Sequence, residues 1–223
     1  MVPAILDERL WFPDPNDTAN APPWQDMVAI GGDLTTPRLL LAYRSGIFPW
    51  TTAPITWWSP DPRGVFEFDQ FHLSHSLARQ LRQGGFEITR DRAFDQVVRA
   101  CAAPAEGRTS TWISPAFIKA YNDLHLAGHA HSMECWQDGQ LAGGIYGVAT
   151  GGLFAAESMF HRVSNASKVV LYHLLQHVRQ RGFTLFDVQM ITPITASLGA
   201  KTIPKAAYLK RLAQAIQLSV TFA

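Results

Sequence analysis

Residues 143–190 read GGIYGVATGGLFAAESMFHRVSNASKVVLYHLLQHVRQRGFTLFDVQM, and the fold class follows from this stretch. Two short apolar runs, 141–149 and 153–160, flank the pair Gly151-Gly152, which predicts a β-hairpin. After a polar connector, Val169, Val170, Leu174 and Val178 recur at helical spacing within 166–181. Gly182 stands where a helix commonly ends in a left-handed residue, and 183–190 is again a short strand-forming run. Hairpin, helix and strand in succession build a mixed sheet with a helix on one face.

Glu157 and Asp187 stand inside these apolar runs, and Gln189 follows Asp187 at the second position. Side chains alternate along a strand, so Asp187 and Gln189 share a face that Val188 does not. A carboxylate in a mostly buried strand is costly unless paired, which marks both acids as functional candidates. The alternative reading is that they lie at strand ends and meet water or a neighbouring lysine.

Working outward, 223 residues suffice for one domain or for a larger domain carrying a small one. An apolar content of 47% and an aromatic content of 11% can fill a core. The formal net charge of +1 argues neither for nor against a nucleic-acid partner, and a small contact such as one strand end needs no strongly basic surface. Cys101 and Cys135 are the only cysteines, and neither has metal-binding spacing. The first residues, MVPAILDERLWFPDPNDT, lack the basic and apolar segments of a secretory signal, and no run of about 18 apolar residues occurs. The expectation is a cytoplasmic monomer with no membrane association.

Residues 1–62 are rich in Pro, Trp and Asp and read as turn material with one helix near 36–46, capped by Thr35 or Thr36. The segments GIFPW (46–50) and WWSPDPR (57–63) set aromatics between prolines. Such rigid surfaces either pack the small region onto the next domain or, at Trp50, offer a face on which a base stacks. From Arg63 onward the pattern turns regular, beginning with a strand at 64–68. Leu73, Leu77 and Leu81 then mark a helix ending near Gly84-Gly85, with Arg79 and Arg82 on its polar side. A strand follows at 86–89, and Asp91 is expected to cap a helix carrying Phe94, Val97, Val98 and Cys101. Residues 109–113 read as extended around Trp112, and Ser114-Pro115 opens a helix that stops at Gly128. Residues 131–137 alternate as a strand that Asp138-Gly139 turns back, and a last helix spans 204 to about 216, after a loop reading ASLGAKTIP. His125, His129 and His131 cluster near Glu134, but their spacing straddles an element boundary and supplies no second ligand group, so a structural or exposed role is expected.

The blocks GGDL (31–34), AYRSGIFPW (42–50), WWSPDPR (57–63), TWI (111–113), HAHSMECW (129–136), GGIYGVA (143–149), AAESMF (155–160), NASK (165–168), FDVQM (186–190) and ASLGA (196–200) stand in this order. In type, order and spacing they closely resemble the bacterial leucyl/phenylalanyl-tRNA–protein transferase family, from about residue 28 to 209. The resemblance implies an α+β protein: a small N-terminal domain (1–62) and a larger GNAT-like aminoacyl-transfer domain (63–223), similar to the N-acetyltransferases. It implies that the N-terminal amine of a protein beginning with Arg or Lys attacks the ester of Leu- or Phe-tRNA, with Met-tRNA also accepted. The product is marked for N-terminus-dependent degradation. An aminoacyl ester is already activated, so no metal or redox cofactor is required; the demands are a neutral amine, alignment and oxyanion support.

By the same resemblance, Gln189 hydrogen-bonds the attacking amine, Asp187 holds Gln189, and Glu157 holds the terminal adenosine or the cationic acceptor end. Trp50, Trp112, Tyr43 and Tyr121 frame the 3′ adenosine, and Ile145, Phe154 and Met159 form the pocket for the Leu or Phe side chain. Arg79 and Arg82 alone occupy the helix on which the family often shows a denser basic cluster for the tRNA backbone. Two other functions would make different demands on these residues. An acetyl-CoA-dependent N-acetyltransferase carries a glycine-rich pyrophosphate loop, whereas the corresponding HRVSNASK has no glycine. A non-catalytic binder of nucleic-acid or peptide ends would not need Glu157, Asp187 and Gln189 together.

Overall fold

The computed structural model describes residues 3–17, 24–104 and 110–223. The Pro- and Trp-rich beginning of the chain forms a sheet of its own. Its elements are β1 (Ala4–Leu6), β2 (Met27–Gly31), α1 (Thr36–Arg44), β3 (Phe48–Thr52) and β4 (Ile55–Trp58), with strand order β1-β2-β4-β3. Pro49 lies in β3, at an edge, where its missing N–H costs no ladder hydrogen bond. Trp57 is fully buried, packs edge-on against Phe12 at 4.8 Å and donates its indole N–H to Gly31 O at 2.9 Å. The cap of α1 differs from expectation: Thr35 occupies the cap position, but its hydroxyl donates to Asp33 (2.5 Å) and not toward the helix.

The second sheet has seven strands. In chain order its elements are β5 (Arg63–Phe66), α2 (His75–Gln83), β6 (Glu87–Arg90), α3 (Phe94–Ala102), α4 (Pro115–Leu126), β7 (Ala130–Gln137), β8 (Gln140–Thr150) and β9 (Leu153–His161). They continue with α5 (Ala166–Gln180), β10 (Leu185–Gln189), α6 (Pro193–Ser197), β11 (Lys201–Ile203) and α7 (Lys205–Ala215). The strand order is β11-β5-β10-β9-β8-β7-β6. Only β9 and β10 run parallel, because α5 carries the chain back across the sheet between them. One face packs on α3 and α4 through Val97, Phe117, Tyr121 and Leu124, and the other packs on α5 through Val169, Val170, Leu174 and Val178. The architecture is α+β with a small N-terminal sheet and a larger mixed one. Among the described residues no helix is long and apolar enough to cross a membrane.

Three local expectations change. Asp91 does not cap α3, which begins after Ala93; its carboxylate instead accepts Ser132 N–H (2.8 Å) and meets His131 Nδ1 at 2.7 Å, tying the loop to β7. Residues 110–113 form no strand, and Thr111 Oγ1 accepts Ile113 N–H at 3.1 Å; residue 109 lies outside the described residues. Residues 201–203, expected as loop, pair with β5 as β11. His125 and His131 sit in packing roles, His125 stacked on Phe94 at 4.2 Å with its Nδ1 2.8 Å from Ala130 O, and His131 stacked on Phe222 at 4.3 Å.

The register of this sheet breaks in two places that matter for function. Between β8 and β9, Tyr146 pairs with Ser158 and Gly147 with Ala156, which leaves Glu157 without a cross-strand partner. Between β10 and β5, Asp187 pairs with Val65 and Gln189 with Gly64, which skips Val188. Each is a β-bulge, a device that re-aims side chains. The parallel pairing of β9 with β10 ends at Ala155 and Asp187, so the two strands part where both bulges lie.

Gly147 faces the first bulge so closely that a Cβ would overlap Ala155 O and fall 2.6 Å from the Phe154 ring. Backbone cannot yield as a flexible side chain does. Gly147→Ala is therefore expected to lower unfolding stability by about 1–3 kcal/mol, read as a reduced urea midpoint. An unchanged midpoint would show that the bulge relaxes freely.

Candidate active site

The parting of β9 and β10 opens a cavity of about 580 Å³. One wall carries Ile145, Met159, Ala156 and Leu171; Trp50 and Trp112 stand together elsewhere on its lining, and Glu157 and Gln189 supply polar groups. The two indoles are nearly parallel, at 15° and 6.5 Å between ring centres.

Gln189 is set in a rare backbone conformation. Its φ is +56°, and it centres a tight turn in which Met190 N–H donates to Val188 O at 2.6 Å. A left-handed conformation in a residue other than glycine costs about 1–2 kcal/mol, so the surroundings must hold it. They do so at both ends. Its backbone N–H donates to Asp187 Oδ1 at 2.8 Å, and its side-chain Nε2 donates to Glu157 Oε1 at 2.7 Å. Only the amide nitrogen can donate to a carboxylate, so the Gln189 carbonyl oxygen is the end left for another partner.

Asp187 is fully buried and spends all its acceptor capacity on protein. Arg63 Nε and Nη2 donate to its two oxygens at 2.9 and 2.6 Å, Tyr208 OH donates at 2.8 Å, and Gln189 N–H completes the set. A carboxylate has about four lone-pair sites, and here each has a donor. The Arg63 guanidinium lies between the Phe48 and Tyr208 rings, 4.9 and 4.5 Å from their centres. Burial disfavours its charge, but the adjacent Asp187 outweighs that, and its pKa stands above the usual arginine value. Asp187 is buried away from solvent. Its partner is an arginine from the neighbouring antiparallel strand.

Glu157 is half-buried, with one edge on the cavity and its carboxyl enclosed by donors. Tyr43 OH donates to Oε1 and Tyr121 OH to Oε2, each at 2.9 Å, and the two hydroxyls lie 2.9 Å apart. Burial pushes the Glu157 carboxyl up to about 7, with the Asp187 charge adding to the rise and the two tyrosine hydrogen bonds opposing it. Burial first, and then the Glu157 charge, holds both tyrosines well above 10, so they stay neutral donors.

Several residues expected at the site are thus brought together: Trp50, Trp112, Ile145, Met159, Glu157 and Gln189 all line the cavity. Others are not. Tyr43 and Tyr121 do not frame the cavity; they are buried behind Glu157 as hydroxyl donors. Phe154 is fully buried on Phe186 at 5.5 Å, because it pairs beside that residue before the strands part. Ala156 and Leu171 line the cavity, and Phe154 does not. Arg79 and Arg82 are exposed on α2, outside the cavity. Arg63 and Tyr208 were missed as site residues. The one available signal was an arginine opening an otherwise apolar strand, RGVF, in a chain with a buried acid to neutralise.

The relatives of this chain are aminoacyltransferases. Residues 65–213 match the family described as leucyl/phenylalanyl-tRNA protein transferase, and residues 32–61 match its N-terminal domain. Proteins named leucyl/phenylalanyl-tRNA–protein transferase include one from Thiobacillus denitrificans, 51% identical over 93% of this chain and 91% of that protein. Those of Aeromonas hydrophila subsp. hydrophila and Chromohalobacter salexigens are each 46% identical, over 93% and 99% of this chain and 88% and 86% of their own lengths. The chain belongs to the leucyl/phenylalanyl-tRNA–protein transferase family, and it is an aminoacyltransferase. Solved structures similar to it include L-PGS from Bacillus licheniformis (TM-score 0.43, 12% identity, 72% of this chain and 54% of that one). A GCN5-related N-acetyltransferase from Kribbella flavida is another (TM-score 0.41, 11% identity, 74% and 59%).

The raised Glu157 pKa has a consequence for stability. Between its ordinary value of 4.5 and about 7, the unfolded chain releases this proton before the folded one does. Stability from this group is therefore lost as pH rises through that window, and the loss is complete above it. Glu157→Gln is neutral throughout. The difference in melting temperature, variant minus wild type, is expected to increase from pH 5 to pH 8. A difference independent of pH would mean that Glu157 titrates normally.

Proposed function

We propose that the protein moves Leu or Phe, and also Met, from aminoacyl-tRNA to the N-terminal amine of proteins that begin with Arg or Lys, marking them for N-terminus-dependent degradation. The observation that carries this reading is the Gln189 amide, anchored through Nε2 on Glu157 at the cavity wall with its carbonyl oxygen available. That oxygen accepts an N–H from the incoming amine and directs the nitrogen lone pair at the ester carbonyl. A C–N bond forms, the C–O bond to the ribose breaks, and the amine proton passes to water or to the departing ribose oxygen. A neutral amide is too weak a base to take that proton itself. An α-amine has a pKa of about 8, so a useful fraction is already neutral near pH 7. Asp187, with its acceptors filled, positions Gln189 by holding its backbone N–H, and Glu157 holds its side chain.

In this reading the 3′ adenosine stacks on Trp50 and Trp112, and Ile145, Met159 and Leu171 receive the aminoacyl side chain. An apolar pocket separates side chains by only about 1–3 kcal/mol per methylene-scale difference, which favours acceptance of Met alongside Leu and Phe. Arg79 and Arg82 lie on α2, a helix without acidic residues, and contact the tRNA backbone.

The deciding experiment is transfer of labelled leucine from Leu-tRNA to a peptide beginning with Arg and to the same peptide acetylated. Label is expected on the free amine alone, and kcat is expected to fall strongly in Gln189→Ala with both substrates saturating. No transfer while tRNA still binds would favour a non-catalytic binder. Two binding predictions accompany it. Trp50→Ala should raise KM for Leu-tRNA by about 5- to 150-fold, the equivalent of one stacked base at roughly 1–3 kcal/mol. Replacing Arg79 and Arg82 together by Glu should raise the same KM and flatten its dependence on salt. Unchanged KM values would remove these side chains from tRNA binding.

A further inference from the structure

Arg63 lies outside the cavity lining, yet four elements meet at it. It stands on β5 and binds Asp187 on β10 through Nε and Nη2. Nη1 donates to Gly46 O at 3.0 Å, in the turn between α1 and β3, and Nη2 reaches Tyr208 OH on α7 at 3.4 Å. Gly46 can stand there because its φ is +75° and a Cβ would lie 2.6 Å from Leu209 and 3.1 Å from Tyr208. Two residues beyond Gly46, Phe48 opens β3 and presents its ring to the guanidinium; two further on is Trp50. On the other side, the Asp187 oxygen that Arg63 Nε holds also accepts the N–H of left-handed Gln189.

We propose that Arg63 is a positioning residue for aminoacyl transfer: by joining Gly46 and Asp187 through one guanidinium, it sets the Gln189 amide relative to the strand that carries Trp50. This rests on the reading of Gln189 as the group that orients the attacking amine. The shape of the group matters as much as its charge. Lysine would keep the charge, but an ammonium on a flexible stem cannot present the planar fork that binds both Asp187 oxygens while another N–H reaches Gly46. With the fork gone, the Asp187 carboxylate is free to rotate, the Gln189 N–H loses its fixed acceptor, and the bulge has less to hold it in its left-handed state.

A double-mutant cycle on kcat tests this, with Leu-tRNA and an Arg-initiated peptide both saturating. Arg63→Lys is expected to lower kcat by about 100-fold, the effect of misplacing a reacting group by roughly 1 Å. In a Gln189→Ala background the same substitution should change kcat by less than about threefold, because the group it positions is already absent. A full loss in that background would show that Arg63 serves the fold alone and would overturn the inference, leaving the role of Gln189 standing. An unchanged kcat in Gln189→Ala by itself would overturn both. Should Arg63→Lys not accumulate as folded protein, Tyr208→Phe takes its place in the cycle. It deletes one hydrogen bond to Asp187 and should cost about tenfold in kcat with Gln189 present and little without it. Equal losses in both backgrounds would count against the inference.

Discussion

The buried ion pair of Arg63 with Asp187 is the constraint on which the rest of the site depends. Both side chains are 1% exposed, so each charge has given up its water. Such a pair is weak evidence of net stability, since desolvation offsets most of the attraction, but losing one partner leaves a stranded charge at a cost of about 3–5 kcal/mol. The pair is therefore held to one geometry. Two aromatic faces enclose the guanidinium, and every acceptor site on the carboxylate is filled. What the interaction contributes is placement. It ties the small N-terminal sheet, through Gly46, to the strand end where Gln189 turns.

Glu157 follows a different logic from Asp187, although both began as acids in apolar strands. Asp187 faces an arginine and has no acceptor site to spare. Glu157 faces neutral donors only, so burial dominates and its carboxyl titrates near 7. The surrounding hydroxyls suit both protonation states. Three donors hold the ionised form, and the Tyr43–Tyr121 pair can turn one hydroxyl to accept from the protonated form. The anchor for Gln189 thus survives a change of charge.

Much of this was legible beforehand because it depends on short-range rules. The Gly151-Gly152 hairpin, the helix at Ala166–Gln180 and the strand Leu185–Gln189 follow from turn residues and from apolar spacing over a few positions. Glu157, Asp187 and Gln189 stood out because a polar residue in an apolar strand needs a reason. The first sheet escaped notice because its strands are three to five residues long, are interrupted by Pro49 and show no clear alternation. Strands of that kind exist only through the partners they find. Phe154, placed in the pocket by resemblance alone, lies elsewhere for a related reason: no local pattern says where β9 and β10 separate, and it lies on the closed side of that point.

By itself the sequence determined the class of the fold, the order of its main elements, the family, and the identity of the three polar residues in the apolar strands. These are properties of local pattern, and local pattern is written in neighbouring positions. Only the tertiary structure decided what those residues do to one another. Arg63 and Asp187 are 124 positions apart, and Tyr43 and Glu157 are 114 apart. A one-residue slip at each bulge turns Glu157 and Gln189 into the opening between the strands, and such a slip is set by how sheets and helices pack, not by any run of adjacent letters. The partners that hold the site came from elements that the sequence shows singly and that only folding brings together.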